Sequence, residues 1–567
     1  MSSPSPNLPR GVQALLFESA QRRRRVEESV VRTLADAGFR ETILPVLDFA
    51  APYDGVTAEG DERLYRFVDR GGELLALRAD FTPMAARVVA PRLAGLPMPV
   101  ALFYRGDVVR DEPSGLGKPR EFAQVGAELY GDASFEADLR MLRTLLDSAA
   151  EVPSGRLCLT LGWAGLLPAL LAAIAPGLVN RKKGALERAL ADARVRRVGR
   201  LEERLRAGGA TAAQAEEVAS ALLSGFDPAS PLFDLPVLAG AARSLAAAAG
   251  AAREARPGLD VVVDLAGTPE APYYTGLTVA LHARGAGGPL GGGGRYDGLL
   301  GRFGPQAPAV GFCIGLEALA TALDTRDQDA ASAPRPFRIA TGKGRLLGKT
   351  LDLLRAAGVD FPEGDGRRLL LPDGSGRFEL LLLKDDDVPT YVAFGGADAG
   401  FVGSDRIEES GEEVCEPLEL PFGTCRLALI GRAGEEFRPN GHPVRVGTKY
   451  RNVAERFFDS RKIPHEVVPL AGSVELAAAL RLTDVVVDLI ETGSTMAAHG
   501  LVELETILPS QATFIVGSRA LVERRAEVAG LVARLSAEAA RGTRETKETK
   551  EMKEAKVAGM EKGVKTC

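Results

Sequence analysis

The stretch that decides the fold is Asp484-Val485-Val486-Val487-Asp488-Leu489-Ile490-Glu491-Thr492-Gly493-Ser494-Thr495-Met496. Its unbroken apolar run reads as a buried strand, and the Thr-Gly-Ser-Thr that follows reads as a turn opening a helix. Such a turn presents backbone N–H groups and hydroxyls at a positive helix end, which suits a monophosphate. Asp488 and Glu491 beside it suit a ribose, because carboxylates accept hydrogen bonds from vicinal hydroxyls. A capped helix start after a buried strand would show the same pattern. Outward from this stretch the alternation repeats. FRIATGKGRLLGKTLDLLRAAG (337–358) reads as a short strand, a Gly-Lys-Gly-Arg turn and an amphipathic helix closed by Gly358. TYVAFGGADAGFVGSD (390–405) reads as an apolar strand ending in a Gly-containing turn. Alternating strands and helices predict a mostly parallel sheet covered on both faces, with ligands at the carboxyl ends of the strands. Lys343 and Arg345, in Thr341-Gly342-Lys343-Gly344-Arg345, place two cations on flexible backbone, which suits a polyphosphate. The GxxxxGK[ST] spacing of a P-loop is absent, and a solvated turn has the same composition.

The chain around these segments has 567 residues, enough for about three or four domains. Lys plus Arg is 70 and Asp plus Glu is 76, a formal net charge of -6 that argues against a general polyanion binder. One Trp and four His leave little for an aromatic nucleic-acid platform or a His-rich metal site. The five cysteines (Cys158, Cys313, Cys415, Cys425 and Cys567) contain no CxxC pair, which points to a reducing, cytoplasmic setting. The start MSSPSPNLPRG does not read as a signal peptide. Leu166 to Ile174 is far shorter than the roughly 20 residues a membrane span needs. DQDAASAPRP, at 327–336, has linker composition. From Arg541 the chain is rich in Glu and Lys and poor in large apolar groups, so 541–567 is expected to be a disordered tail. Before the linker, candidate strands at Glu73–Leu77, Val100–Tyr104, Leu157–Leu161 and Leu259–Leu265 are interspersed with helices at Ala185–Ala219 and Pro236–Ala255. That order predicts an α+β domain with a sizeable antiparallel sheet.

After the linker, KGRLL (343–347), DVPTYV (387–392), GADAGFVGSD (396–405), GTCRL (423–427), GTKY (447–450), GSVEL (472–476) and DLIETGST (488–495) occur in one order. Together they resemble the short form of ATP phosphoribosyltransferase. The resemblance implies a two-lobed α/β domain over 337–540, like a periplasmic binding protein, with its active site in the cleft. It implies that adenine N1 of ATP attacks C1 of phosphoribosyl pyrophosphate and pyrophosphate leaves, with Mg2+ held mainly by the pyrophosphate and no protein side chain as metal ligand. By position, Asp488, Glu491, Lys343 and Arg345 are the candidate catalytic residues. Thr492, Gly493, Ser494 and Thr495 are the expected 5′-phosphate loop, and Lys449 is a further polyphosphate cation. Short-form members lack a C-terminal regulatory domain, and here only the charged tail follows. Two positions depart from the family pattern: Thr341-Gly342 stands where the family has Leu-Pro, and Lys384 where it often has Arg.

The first region carries Leu77-Arg78-Ala79-Asp80-Phe81-Thr82 before a helix with Arg87, then Arg105, Arg110 and Arg120-Glu-Phe-Ala-Gln124-Val-Gly-Ala-Glu128. Gln124 and Glu128 are four apart in a candidate strand, so both face one side. Tyr273-Tyr274-Thr275-Gly276 and Gly291-Gly-Gly-Gly-Arg295-Tyr296-Asp297-Gly298-Leu299 follow. These segments resemble the class II core of histidyl-tRNA synthetase, and more closely its non-synthetase paralogue, the regulatory subunit of short-form ATP phosphoribosyltransferase. The resemblance covers about residues 8–325 and implies a regulatory domain over 1–326. Synthetases carry Arg-Gly-Leu-Asp where Pro269-Glu270-Ala271-Pro272 stands here, and an Arg where Ala318 follows Gly315-Leu316-Glu317. Those arginines bind carboxylate and ATP phosphate, so aminoacylation is not expected. Asp80, Thr82, Gln124, Glu128, Tyr273 and Tyr274 match histidine-holding positions and form the expected regulatory histidine pocket.

The resulting expectation is a cytoplasmic homo-oligomeric enzyme of histidine biosynthesis, with catalytic and feedback parts in one chain and no nucleic-acid or membrane partner. Fusion fixes equal stoichiometry of the two parts and raises their effective concentration. A histidine- or tRNA-binding synthetase-like protein without transferase activity is the alternative, and a two-lobed solute receptor is a third reading. The lost arginines and the acidic balance weigh against the former, and the Asp488–Thr495 constellation against the latter.

Overall fold

Apolar residues at period two, and glycines where backbones come closest, build the first of two units in this computed structural model. The structure describes residues 8–56, 64–111, 119–180, 184–267, 272–286, 288–324, 335–362, 368–435, 437, 441–491 and 493–542. Most of the expected linker and nearly all of the expected tail lie outside these residues. The chain divides into one unit within 1–194 and 200–333 and a second within 195–199 and 334–567.

The first unit contains β1 (Arg40–Glu41), β2 (Leu47–Phe49), β3 (Arg66–Val68), β4 (Leu74–Leu77), β5 (Val100–Val109), β6 (Glu121–Tyr130), β7 (Leu157–Trp163), β8 (Asp260–Val263), β9 (Leu277–Ala283), β10 (Pro289–Arg295) and β11 (Ala309–Gly315). Eight of them form one sheet in the order β1-β5-β6-β11-β10-β9-β7-β8. It is antiparallel from β5 to β7, with parallel pairs β1/β5 and β7/β8 at its edges. Strands β2, β4 and β3 make a small antiparallel sheet. The Gly-rich run in β10 allows close pairing: a Cβ at Gly293 would lie 2.0 Å from the Gly311 carbonyl oxygen. The helix Pro236–Ala255 starts on Pro at its first turn and buries Leu238, Ala242, Leu245, Ala249 and Ala252 along one stripe. The helical stretch at Ala185–Ala219 is three helices, Ala185–Arg194, Val198–Ala207 and Ala212–Ser224. Left-handed Arg196 (φ 56°) and Gly209 (φ 107°) break it, and residues 195–199 belong to the second unit.

The second unit has two sheets, one per lobe. The first lobe contains β12 (Phe337–Gly342), β13 (Leu370–Pro372), β14 (Phe378–Leu383), β15 (Ala399–Gly403) and β16 (Cys415–Glu419). The second contains β17 (Cys425–Arg432), β18 (Val444–Thr448), β19 (His465–Pro469), β20 (Val485–Ile490) and β21 (Leu501–Ser510), after which β22 (Ala512–Val516) returns to the first. The sheet orders are β13-β14-β12-β15-β22-β16 and β19-β18-β20-β17-β21. Only β14-β12-β15 and β19-β18-β20 are parallel; the remaining pairs are antiparallel. The sheets are therefore mixed, where alternation alone predicted a mostly parallel one. Strands that carry the chain between lobes run back along their neighbours, which periodicity does not reveal. A second difference is local. Val388–Ala393 is a short helix, with Pro389 in its first turn and Val388 and Val392 buried four apart. The strand in that segment is β15 alone. No helix among the described residues is long and apolar enough to cross a membrane.

Candidate functional site

In the first unit, the middle of the large sheet and the start of the helix Phe81–Val89 line an open cavity of about 450 Å3. Asp80, Thr82, Gln124, Tyr273 and Tyr274 line it, with Arg110, Phe122, Tyr296, Cys313, Glu317 and the glycines of β10. Asp80 caps the helix by accepting from the Thr82 N–H at 3.0 Å, and its other oxygen accepts from the Tyr273 hydroxyl at 3.3 Å. Tyr273 packs 5.1 Å from Tyr274 and 5.7 Å from Tyr296, centroid to centroid. Arg110, which also lines the cavity, donates from Nε to the Ala79 carbonyl at 3.0 Å and stacks 5.1 Å above Phe122.

Glu128 lies one layer deeper. It is fully buried, and its carboxylate accepts from the hydroxyls of Thr82 (2.8 Å), Tyr104 (3.0 Å) and Tyr296. Gly311 stands opposite it on β11, and a Cβ there would lie 1.6 Å from Glu128 Oε2. Burial pushes the Glu128 carboxyl up to about 7, although the three hydroxyls pull it down. Glu128 thus holds the wall in place, while Asp80, Gln124 and the tyrosines face the space. Burial likewise pushes the Cys313 thiol up to about 12, so it stays protonated and unreactive. Volume and lining suit one small polar molecule with both donors and acceptors. The sequence alone does not assign Glu317 and Cys313 to this pocket. Glu317 belongs to the quoted Gly-Leu-Glu, and its Oε2 accepts from the Ala123 N–H at 3.1 Å; Cys313 had no signal beyond its place in a strand.

In the second unit four of the candidate residues form two ion pairs near strand ends. β12 delivers Lys343 and Arg345 from the first lobe; β18 and β20 deliver Lys449, Asp488 and Glu491 from the second. Arg345 Nη1 forms an ion pair with Glu491 Oε2, and Lys449 Nζ lies 3.3 Å from Asp488 Oδ1. Each expected cation of these two pairs meets an expected ribose carboxylate. Lys343 is exposed, and its backbone N–H donates to the Leu383 carbonyl at 3.1 Å. Lys384 is exposed on the turn after β14. Gly493 is left-handed (φ 79°) and leads into the short helix Ser494–Ala498, which fixes the need for glycine there. Thr492 and the side chains of Ser494 and Thr495 lie outside the described residues. The arrangement can place positive charge on a polyphosphate from both lobes and offer carboxylates to a sugar between them.

Residues 11–319 match the family described as Histidyl-tRNA synthetase, and residues 384–537 match the family described as ATP phosphoribosyltransferase. The chain is 43% identical over 197 residues to ATP phosphoribosyltransferase of Thermus thermophilus, covering 35% of this chain and 94% of the relative. It is 42% identical over 202 residues to ATP phosphoribosyltransferase of Deinococcus radiodurans, covering 36% and 90%. Among solved structures, an ATP phosphoribosyltransferase regulatory subunit/histidyl-tRNA synthetase from Bacillus halodurans is similar at a TM-score of 0.50 and 22% identity, covering 67% of this chain and 94% of that one. That likeness describes fold. A class II synthetase-like domain followed by a two-lobed α/β domain with paired cations and carboxylates defines a glycosyltransferase of the phosphoribosyl class with an appended domain. The chain belongs to the ATP phosphoribosyltransferase family, carrying a domain of the histidyl-tRNA synthetase family in the same polypeptide, and is an enzyme of histidine biosynthesis.

Proposed function

We propose that the second unit joins ATP to phosphoribosyl pyrophosphate through the residues gathered between its lobes, and that the first unit binds histidine as the feedback signal. The observation that carries this reading is the meeting of Arg345 with Glu491 and of Lys449 with Asp488 at the strand ends. Thr492 to Thr495 hold the 5′-phosphate. Asp488 and Glu491 accept from the ribose hydroxyls. Lys343, Arg345 and Lys449 balance the polyphosphate charge. Adenine N1 forms the new bond to C1 as the bond to pyrophosphate breaks, so positive charge builds at C1 and negative charge on the leaving group. The cations stabilise the leaving group, and the carboxylates favour the cationic sugar. Among the described residues no three His, Cys, Asp or Glu side chains gather as a cation site. Mg2+ carried on the pyrophosphate would neutralise charge on the leaving group.

In the first unit, Asp80, Gln124, Tyr273 and Tyr274 receive histidine, with Thr82 and Glu128 fixing the wall. Working as a homo-oligomer in the cytoplasm, the enzyme would keep a fixed ratio of regulatory to catalytic parts. The test is formation of phosphoribosyl-ATP from ATP and phosphoribosyl pyrophosphate, with and without histidine. No product at any Mg2+ concentration overturns the catalytic assignment. Product that histidine does not diminish overturns the regulatory one alone.

A further inference from the structure

The lysine proposed to meet phosphoribosyl pyrophosphate sits on a turn that is gripped from the opposite lobe. Thr448-Lys449-Tyr450 joins β18 to the helix Arg451–Ser460. The Thr448 hydroxyl donates to the Val487 carbonyl at 2.7 Å and accepts from the Tyr450 N–H at 2.8 Å, so the turn is tied to β20 on its own side. Tyr450 is fully buried, and its hydroxyl leaves the second lobe to donate to Asp405 Oδ2 of the first at 2.7 Å. Asp405 lies in the first turn of the helix Ser404–Ser410 after β15 and is itself buried. Its Oδ1 accepts from the Ser510 hydroxyl at 2.6 Å, where the chain is about to return between lobes.

The surroundings reinforce that one bond. The Arg406 guanidinium lies 4.4 Å over the Tyr450 ring and pairs with Asp386 at 2.6 Å, and Lys449 Nζ lies 5.5 Å from the same ring. Glu409, on the same first-lobe helix, accepts from the backbone N–H of Asn452 at 3.1 Å and of Val453 at 3.0 Å. Burial and the adjacent Asp405 charge push ionisation of the Tyr450 phenol upward, so it remains a donor. Asp405 does not meet Lys449 or Asp488 directly. It holds Tyr450, whose neighbour in sequence lies 3.3 Å from Asp488.

We propose that Asp405 is a positioning residue for the transfer reaction: by holding the Tyr450 hydroxyl across the lobes, it fixes the turn that places Lys449 beside Asp488. This rests on the proposed role of Lys449 toward phosphoribosyl pyrophosphate. A buried charge-assisted hydrogen bond from a rigid phenol suits such a pin, because both partners lose little rotamer freedom in forming it.

The test uses the full-length enzyme and four variants: Lys449→Ala, Tyr450→Phe, Asp405→Asn and the Asp405→Asn/Tyr450→Phe double. Tyr450→Phe keeps the ring and its packing. The expected result is that Lys449→Ala, Tyr450→Phe and Asp405→Asn each raise KM for phosphoribosyl pyrophosphate by about tenfold while KM for ATP moves less than about twofold, and that the double variant is no worse than the worse single, as for two ends of one bond. A merely structural pair would lower the melting temperature and leave the two KM values in their original ratio. If Lys449→Ala raises KM but Tyr450→Phe does not, the positioning role is wrong and the reading of Lys449 survives. If Lys449→Ala leaves KM unchanged, the reading of Lys449 fails and takes this inference with it. Additive losses in the double variant also overturn the pin.

Discussion

Replacing Glu128 by Gln should change how stability depends on pH more than it changes stability itself. The group is fully buried, and burial holds its carboxyl at about 7 against an ordinary 4.5. The folded chain therefore keeps a proton that the unfolded chain releases at lower pH. The sign follows: the stability this group contributes is full below pH 4.5 and is lost as pH rises through about 7. That separation of titrations corresponds to at most about 3 kcal/mol. Gln does not titrate, so its cost from lost hydrogen bonds to Thr82, Tyr104 and Tyr296 stays constant with pH. The comparison to make is the melting temperature of the full chain, parent minus variant, at pH 4.5 and about pH 8. The gap should be widest at the lower pH and narrow by about 5 °C at the higher, given a few degrees per kcal/mol in a large domain. A gap that is equal at both pH values, or that widens with pH, would refute the argument that desolvation of Glu128 outweighs its three donors.

Other perturbations separate stability from function. Arg345→Ala and Glu491→Gln break an ion pair whose side chains are 68% and 58% exposed, so each should cost less than about 1 kcal/mol in a melting experiment. Both should still lower kcat/KM by about tenfold or more if the pair belongs to the reaction centre; unchanged turnover would remove them from it. Thr495→Ala should raise KM for phosphoribosyl pyrophosphate by about tenfold with an unaltered circular dichroism spectrum, consistent with a lost phosphate hydrogen bond. Gly293→Ala should destabilise by about 2–4 kcal/mol, because its Cβ would meet the Gly311 carbonyl oxygen at 2.0 Å and backbone cannot step aside cheaply. A melting curve like the parent's would show that β10 and β11 can separate without cost.

Much of this architecture can be read from residue patterns, because the deciding segments are local. The apolar run at 485–487 opens β20, which continues through Asp488 to Ile490, and Pro236–Ala255 is a helix over the expected span. Gln124 and Glu128 do share a face of one strand, yet only the structure separates the residue that lines the cavity from the one behind it. That difference depends on Tyr104 and Tyr296 arriving from β5 and from the end of β10, distances along the chain that periodicity cannot span. The same limit hid the antiparallel strands of the second unit and the partner of Tyr450. GTKY marked Lys449 as a cation, but Asp405 lies 45 positions away from Tyr450, and nothing local to GADAGFVGSD singles out its last residue as a contact to the other lobe. The segment Val388–Ala393 is a helix although Thr-Tyr-Val-Ala-Phe has strand composition; the signals that decide it are Pro389 and the four-residue spacing of Val388 and Val392.

The return of β22 to the first lobe sets the order in which the chain can be assembled as it is synthesised. β15 and β16 both hydrogen-bond to β22, which lies between them, so neither has that partner until residue 516 has left the ribosome. The whole second lobe, from β17 to β21, is made in the meantime and can close its own sheet first. A half-built first lobe with an open strand position is a surface that another nascent copy could fill. Slow translation or truncation between 420 and 516 should therefore favour aggregation more than an equal delay elsewhere in this unit.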